Sequence, residues 1–341
     1  MLQLNPIFND HMVFAFAKPI RVSGRSNEEV SVVFKDQKIT VKPINDEWEV
    51  TFPPEEIGGP YELVVSNKTE QIVIKDIYVG LLLLMAGQSN QQFKFKEGLD
   101  KYEEYLSNSN IRLFSTNRPM FFDGDLEPFR ASDGWKVLEK EEIPSWPSLC
   151  YQVSRFINEK DKNIHIGLVT CYEGASVIEA WIPENKIIGT SLDIPLSSKH
   201  PDHSDTFYKI WNRNGLLYDV VFSQCKPLTY NIICYYQGES DTSLEEGKIY
   251  DKELEILAKI YRSDTTDEST PFLIVEIANL DVRNDDGWRS IQKAQERAIN
   301  IIPNSYLIDS RGVSETSCIH PSRKKELARM IANQIIDIYN L

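Results

Sequence analysis

The chain has 341 residues, of which 41% are hydrophobic and 26% are charged, and its formal net charge is −14 at pH 7. This length fits two domains of roughly 150 residues each, or one large domain with an appendage, and the composition is that of a globular protein with a sizeable core. The acidic balance excludes a general binder of nucleic acids or anionic membranes, because such proteins hold phosphates with clustered Lys and Arg.

The amino terminus and the cysteines favour a reduced, cytoplasmic protein. The opening MLQLNPIFND lacks the basic flank and apolar run of a signal peptide. The apolar stretch over residues 77–86 is interrupted by glycine and is far shorter than the ~20 residues that span a bilayer. The five cysteines include no C-x-x-C pair, so neither a zinc site nor a disulfide framework is indicated. We therefore expect no metal, cofactor, membrane or nucleic-acid partner.

The first part of the chain predicts a β module. Short β-branched or aromatic runs alternate with turns rich in Asn, Gly, Pro and Lys, as in a small sandwich. These runs are Val30–Phe34, Trp48–Phe52, Tyr61–Val65 and Ile72–Val79. We therefore predict a β-sandwich domain over residues 1–79.

From Gly80 onward the pattern predicts an α/β domain. The apolar runs LLLLMA, NIHIGLVT, YNIICYY, FLIVEIANL and SYLIDS alternate with amphipathic stretches such as SLCYQVSRFINEK. Short buried strands that alternate with helices predict a parallel sheet covered on both faces. The last segment opens with Pro321 at the first helical position and predicts an amphipathic helix whose stripe is Leu327, Ile331, Ile335 and Ile338. The predicted fold of residues 80–341 is three-layer α/β/α.

The turn after the first buried strand contains a candidate nucleophile. Ligands of open parallel sheets bind at the carboxyl ends of strands, and LLLLMA runs directly into Gly87-Gln88-Ser89-Asn90. A serine there presents its hydroxyl and its own N–H at the rim, as acyl transfer requires. Taken alone, the turn favours a helix N-cap for Ser89. The same G-x-S-N spelling also occurs at residues 24–27, inside the β module.

A serine nucleophile needs a base, and the chain offers five histidines. His11 lies in the β module, and His165 lies in an apolar run, where a hydrogen-bonded core role is expected. His200 and His203 belong to a polar loop expected at the surface. His320 follows the last predicted strand and precedes the final helix, so elimination favours it, although an isolated loop histidine is more often incidental.

Two further turns follow buried strands. Residues 171–176 contain small side chains that let backbone amides approach a ligand, and residues 236–241 contain Gln237, whose amide can donate to a developing negative charge. Each alone would be an ordinary strand-to-helix loop. Together with the turns of Ser89 and His320 they form a hydrolase constellation.

These motifs, in this order, resemble those of SGNH-type esterases, in particular the sialate O-acetylesterase branch of the carbohydrate acetylesterases. Residues 58–61 and 11–14 also resemble the N-terminal β domain that many members carry. The motifs are Gly87-Gln88-Ser89-Asn90, Gly174-Ala175-Ser176, Tyr236-Gln237-Gly238-Glu239-Ser240 and Ile319-His320-Pro321.

The resemblance implies a flavodoxin-like SGNH domain and metal-free hydrolysis of an O-acetyl ester on a sugar. Ser89 is then the nucleophile and His320 the base. The oxyanion hole is implied to be the Ser89 N–H, an N–H of the Gly174 turn and the Gln237 side chain. A histidine base predicts that activity falls as the pH is lowered, with an apparent pKa near 6–7.

The chain departs from the family pattern at three places. Ala175 replaces a glycine, which costs little at negative φ but is strained at positive φ. Asp241 replaces an asparagine. The aspartate that usually precedes the histidine is missing, since Ser317 and Cys318 occupy the −3 and −2 positions. The ring is then oriented by a backbone carbonyl or another side chain, or the enzyme uses a Ser-His dyad; the side-chain candidates are Glu315, Asp309 and Ser317.

The sequence identifies the acetylated sugar less closely than it identifies the ester hydrolysis. An O-acetylated sialic acid carries a carboxylate, which an acidic chain must attract with a local cation such as Arg283, Arg289 or Arg311. The alternative is an acetylated xylo- or manno-oligosaccharide, which is neutral. A different class is a non-catalytic carbohydrate-binding protein with a decayed site, and another is a lipid or thioester hydrolase with an apolar acyl groove. Nothing in the sequence predicts the oligomeric state.

Overall fold

The computed structural model describes residues 1–102, 104–117, 121–122, 125–126, 133–194, 211–283 and 285–341. It is a mixed α/β structure with helices packed on a central sheet. Its strands are β1 (Leu2–Leu4), β2 (Val13–Ala15), β3 (Ile20–Ser26), β4 (Val30–Phe34), β5 (Gln37–Val41), β6 (Glu47–Phe52), β7 (Gly58–Ser66), β8 (Gln71–Gly87), β9 (Asn108–Ser115), β10 (Phe121–Phe122), β11 (Asp125–Leu126), β12 (Trp135–Leu138), β13 (Ile166–Tyr172), β14 (Ile232–Tyr236), β15 (Phe272–Val275) and β16 (Ser305–Ile308). Its helices are α1 (Ser89–Gln92), α2 (Ser148–Lys160), α3 (Leu216–Val220), α4 (Tyr250–Asp264), α5 (Asp286–Ala298) and α6 (Lys325–Tyr339).

The amino-terminal strands form the predicted β-sandwich. One sheet has the order β1-β3-β6, and the other joins β4 to β5 and β7 and reaches β8. Aromatic side chains fill the space between them, since the Phe34 ring lies 5.6 Å from Phe14 and 6.0 Å from Phe52, centroid to centroid. All three are buried, as expected of alternating strand residues that face a core.

Strand β8 belongs to both parts of the molecule. It pairs with β7 as far as Val79 and with β2 as far as Gly80. It then pairs with β13 from Leu81 and with β14 from Leu83. A domain boundary near residue 80 therefore falls within one continuous strand and not in a linker. The division into residues 1–79 and 80–341 stays a prediction.

The central sheet has the strand order β12-β9-β13-β8-β14-β15-β16, and its pairs are parallel except for β12 with β9 at one edge. Each of the five predicted apolar runs contributes a strand to it. The α/β fold class is therefore confirmed, although the run FLIVEIANL forms a strand only as far as Val275. No helix within the described ranges is both long and apolar enough to cross a membrane.

The helices α2 and α6 lie where the sequence pattern predicts them, except that α6 begins later than predicted. Helix α2 covers the stretch SLCYQVSRFINEK, and Leu327, Ile331 and Ile335 of α6 are buried as predicted. The prediction that Pro321 occupies the first helical position is wrong, because α6 begins at Lys325. Residues 321–324 are held by non-helical hydrogen bonds: Ser322 donates from its N–H to Glu315 at 2.8 Å, and the Lys324 N–H donates to Asp100 at 2.7 Å.

Candidate active site

Three strand ends meet at the same level of the sheet. Gly87, the last residue of β8, is paired in register with Tyr172 of β13 on one side and with Tyr236 of β14 on the other. Because neighbouring parallel strands end at the same edge, the turns that follow them converge. These are the three turns that the sequence singled out after buried strands.

The first turn leaves Ser89 partly accessible. Gly87 has φ +139°, and a Cβ there would lie 2.0 Å from the Tyr236 carbonyl oxygen, so only glycine fits. The Gln88 N–H donates to the same carbonyl at 3.0 Å. Gln88 is the N-cap residue of α1. Ser89 is therefore the first helical residue and not the N-cap. It lies half-buried between the buried Gln88 and Asn90.

The second turn lies beside the first. The Glu173 N–H donates to the Gly87 carbonyl at 3.2 Å, and a Cβ built on Gly174 would lie 3.7 Å from the Ser89 Cβ. Ala175 has φ +55°, the left-handed conformation in which a side chain is strained. Asn212 holds this conformation by donating to the Ala175 carbonyl at 2.9 Å.

The third turn places Gln237 inside the molecule. Its side chain is fully buried. Its Nε2 donates to the Gln88 side chain at 3.1 Å and to the Ser176 carbonyl at 2.9 Å, and it also bonds to Asp241. Its Oε1 accepts from the Tyr250 hydroxyl at 2.6 Å. The amide therefore ties the three turns together, and its donors point to protein acceptors instead of a ligand.

The loop of His320 packs against the segment that follows Ser89. Asn90 donates from Nδ2 to the Ile319 carbonyl at 2.9 Å, and the Phe93 ring centroid lies 6.3 Å from that of His320. The structure thus brings the Ser89 turn and the His320 loop together. Within the described residues, no hydrogen bond joins the Ser89 hydroxyl to the imidazole directly.

His320 has a depressed pKa. Half-burial is the main cause, since it disfavours the charged imidazolium. The nearby positive charge of Lys324 lowers the pKa further, and the negative charge of Glu97 opposes this effect. A low pKa keeps the ring neutral, the form that can accept a proton.

The predicted orienting residues do not reach the imidazole. Glu315 accepts from the Ser322 N–H and hydroxyl at 2.8 and 2.7 Å, and Asp309 accepts from Arg311 at 3.0 Å. Ser317 is exposed. In the described part of the chain, none of the three hydrogen-bonds His320.

A buried polar network beneath the site escaped the sequence analysis. Asn90 donates to Glu239 at 2.5 Å and accepts from the Lys324 ammonium at 2.6 Å. Burial raises the pKa of Glu239 and lowers the pKa of Lys324 to about 8. Glu239 belongs to the Tyr236-Gln237-Gly238-Glu239-Ser240 motif, and Lys324 lies four residues after His320. A lysine at the start of an amphipathic helix usually predicts a solvated side chain, so no pattern signalled its burial.

The remaining histidines lie elsewhere. His11 bonds Asp76 at 2.7 Å in the β domain. His165 is stacked on Tyr78, and burial, the largest contribution, lowers its pKa to about 4. His200 and His203 are outside the described residues.

One group of carboxylates among the described residues has the spacing of a metal site. Glu179, Glu246 and Glu253 are buried, and one oxygen from each lies within 4.8 Å of the others. Each also has a further hydrogen-bonding or electrostatic partner. The cluster is therefore engaged within the protein and does not by itself indicate a bound ion.

Comparison with known proteins identifies the family. Residues 79–337 match the family model described as carbohydrate esterase, sialic acid-specific acetylesterase. The chain belongs to this family. It is 23% identical to the sialate O-acetylesterase of Homo sapiens and 24% identical to that of Pongo abelii, in each case over 93% of this chain and 65% of the relative. The chain thus spans about two thirds of the length of these relatives.

The structural comparison supports the fold. A carbohydrate acetylesterase from Xanthomonas citri superposes with a TM-score of 0.85 and 21% identity, over 100% of this chain and 76% of that one. The superposition therefore extends over the whole of this chain. At this identity the likeness establishes the architecture alone.

Proposed function

We propose that this chain is a serine esterase that removes O-acetyl groups from a carbohydrate, with an O-acetylated sialic acid as its substrate. The family match over residues 79–337 supports the reaction class. One observation carries the assignment of residues: the 2.9 Å hydrogen bond from Asn90 to Ile319 holds the His320 loop against the Ser89 turn.

The proposed mechanism is a two-step acyl transfer. Neutral His320 takes the Ser89 proton while the hydroxyl oxygen attacks the acetyl carbonyl carbon, and the imidazolium then protonates the departing sugar oxygen. Water, deprotonated by the same ring, attacks the carbonyl carbon of the acetyl-serine. The bond to the serine oxygen then breaks, the imidazolium returns its proton to that oxygen, and acetate leaves. Hydrogen bonds between a nucleophile and its base often tighten only when substrate binds. This fits a serine and a histidine whose segments are in contact but whose side chains share no direct hydrogen bond among the described residues.

The oxyanion would be stabilised by the backbone amides of Ser89 and Gly174. These amides belong to adjoining turns, and no acceptor among the described residues takes either N–H. Such donors each contribute on the order of 3 kcal/mol to transition-state stabilisation. Gln237, the third donor implied by the family pattern, is bonded to Gln88 and Ser176, so we assign it the role of holding the turns in register.

A neutral substrate is the second candidate, and the ion pairs of the candidate cations favour it. Arg283, Arg289 and Arg311, the cations considered for a sialate carboxylate, each have a carboxylate neighbour. The partners are Asp285, Asp286 and Asp309, at 3.2, 2.8 and 3.0 Å. A substrate carboxylate would have to compete with these side chains, whereas an acetylated xylo- or manno-oligosaccharide would not.

Replacing Ser89 by Ala tests the mechanism. We expect Ser89→Ala to abolish acetate release and labelling by a serine-reactive phosphonate, with thermal stability nearly unchanged because the hydroxyl has no hydrogen-bond partner among the described residues. The matched control is Ser26→Ala, at the other G-x-S-N sequence, where the hydroxyl only bonds Glu28 locally. Turnover retained by Ser89→Ala would contradict the proposal.

A substrate panel tests the specificity. Acetate release is compared for acetylated sialic acids, xylo-oligosaccharides and manno-oligosaccharides, and for aryl acetate against aryl octanoate. Preference for the sialic acids supports the first candidate, and preference for neutral sugars supports the second. A wild-type protein that binds these sugars but turns over no ester, the aryl acetate included, would be a non-catalytic binder. Preference for the octanoate would indicate a lipid hydrolase.

A further inference from the structure

A lysine is buried beneath the candidate site. Lys324 is only 1% exposed, and its ammonium donates to Asn90 Oδ1 at 2.6 Å. Removing an ammonium from water is costly, and apolar replacements of buried charged groups are often neutral or stabilising. Stability therefore does not explain a lysine at this position. Buried charges of this kind cluster at functional sites.

Lys324 determines which way the Asn90 amide points. The amide has one accepting and one donating end. Because Oδ1 faces the ammonium, Nδ2 faces the Ile319 carbonyl at 2.9 Å and Glu239 Oε1 at 2.5 Å. A reversed amide would place its oxygen against two acceptors and its NH₂ against an ammonium. The lysine and the glutamate together leave Asn90 a single orientation.

This orientation connects the two halves of the site. Asn90 follows Ser89 directly, and Ile319 directly precedes His320. One side-chain hydrogen bond thus fixes the spacing between two backbone segments that are 229 positions apart.

The aromatic ring of Phe93 forms a second connection. Its centroid lies 5.1 Å from the Lys324 ammonium and 6.3 Å from the centroid of the His320 ring. A cation over an aromatic face is attracted to it, more strongly where water is excluded. The ammonium therefore holds the ring against which the imidazole packs.

We propose that Lys324 is a positioning residue for the Ser89–His320 pair. It acts through Asn90, whose hydrogen bond holds the His320 loop against the serine turn, and through Phe93, whose ring packs against the imidazole. The inference rests on the proposed function, because it assigns a role within that reaction.

Three variants separate positioning from simple charge compensation. Lys324→Met leaves Glu239 buried without a nearby cation, so we expect a lower melting temperature. We also expect a kcat about 30-fold lower, since small misplacements of catalytic groups cost up to about a hundredfold in rate. KM should change by less than about twofold. Glu239→Gln alone keeps the lysine, and we expect it to retain at least about a third of kcat. In Lys324→Met/Glu239→Gln both buried charges are absent, so the melting temperature recovers while kcat stays about 30-fold low.

The outcomes distinguish this inference from the proposed function. The matched control is Lys325→Met, which makes the same charge change one residue along at a half-buried position, and its kcat should stay within about twofold of wild type. Recovery of kcat together with stability in the double variant would overturn the positioning role, and so would wild-type kcat in Lys324→Met. If Lys324→Met does not fold, the double variant alone decides. Retained turnover in Ser89→Ala would instead overturn the function itself.

Discussion

Replacing Ala175 by glycine should stabilise the protein. Ala175 adopts φ +55° beside the candidate nucleophile, and an L-residue in this region costs roughly 1–2 kcal/mol. Glycine has no such cost but loses about 0.4–1 kcal/mol more on folding, because its unfolded chain is more flexible. The net expectation for Ala175→Gly is a gain of about 0.5–1 kcal/mol in the free energy of unfolding.

The assay is urea denaturation, supported by thermal melting. With an unfolding entropy of about 2.1 cal/mol/K per residue, a gain of this size raises the melting temperature of a chain of this length by only about 1 °C, so the urea midpoint is the better measure. The control is Ala298→Gly. Ala298 is buried at the end of α5, and glycine there loses the burial of one methyl group, which costs about 0.8 kcal/mol.

The activity of Ala175→Gly is expected to stay within about twofold of wild type. Asn212 donates to the Ala175 carbonyl at 2.9 Å and accepts from the Val177 N–H at 3.0 Å. Neither bond depends on the side chain of residue 175, so the turn keeps its shape. A loss of stability as large as that of Ala298→Gly would refute the reasoning, because it would mean that residue 175 is not left-handed in the folded protein.

Two further predictions concern the same site. The acid limb of the kcat/KM profile against pH should have its midpoint below pH 6.5. Burial and then the charge of Lys324 lower the pKa of His320, and the base acts in its neutral form. A midpoint at or above pH 6.5 would contradict this prediction. Gly87→Ala should cost several kcal/mol in denaturant unfolding and abolish activity, because the added Cβ would lie 2.0 Å from the Tyr236 carbonyl oxygen at φ +139°. Gly312→Ala, with no heavy atom within 4 Å of the added Cβ, is the control and should be neutral.

The elements that depend on local pattern were predictable. Strand β4 and helix α2 have the bounds that the apolar runs indicate. A strand's alternation and a helix's amphipathic stripe are encoded within ten or fifteen consecutive residues. The same holds for Gly87, whose place after a buried strand marks a tight turn. At Ala175 the sequence left the sign of φ open, and the structure shows that φ is positive.

The partners of polar side chains were not predictable. The sequence predicted Glu315 and Asp309 as neighbours of His320 and predicted Gln237 as an oxyanion donor. In the structure Glu315 hydrogen-bonds Ser322, and Asp309 hydrogen-bonds Arg311. The Gln237 amide donates to the Ser176 carbonyl. A carboxylate or amide bonds whichever group lies within about 3 Å. For Gln237 that neighbour is set by the packing of distant segments, since Ser176 lies 61 positions away. Asp309 and Glu315 bond residues only two and seven positions along the chain, and which of these nearby groups they reach depends on the path that the loop takes in the folded protein.

The sequence alone therefore determined which secondary-structure elements form and which loops after the strands contain the candidate side chains, because these features depend on short-range periodicity and turn chemistry. Only the tertiary structure decided that α6 begins at Lys325, that Lys324 is buried, and that Asn90 joins the serine turn to the histidine loop. Each of these depends on contacts between residues that are hundreds of positions apart, and such contacts exist only once the sheet has brought its strand ends together.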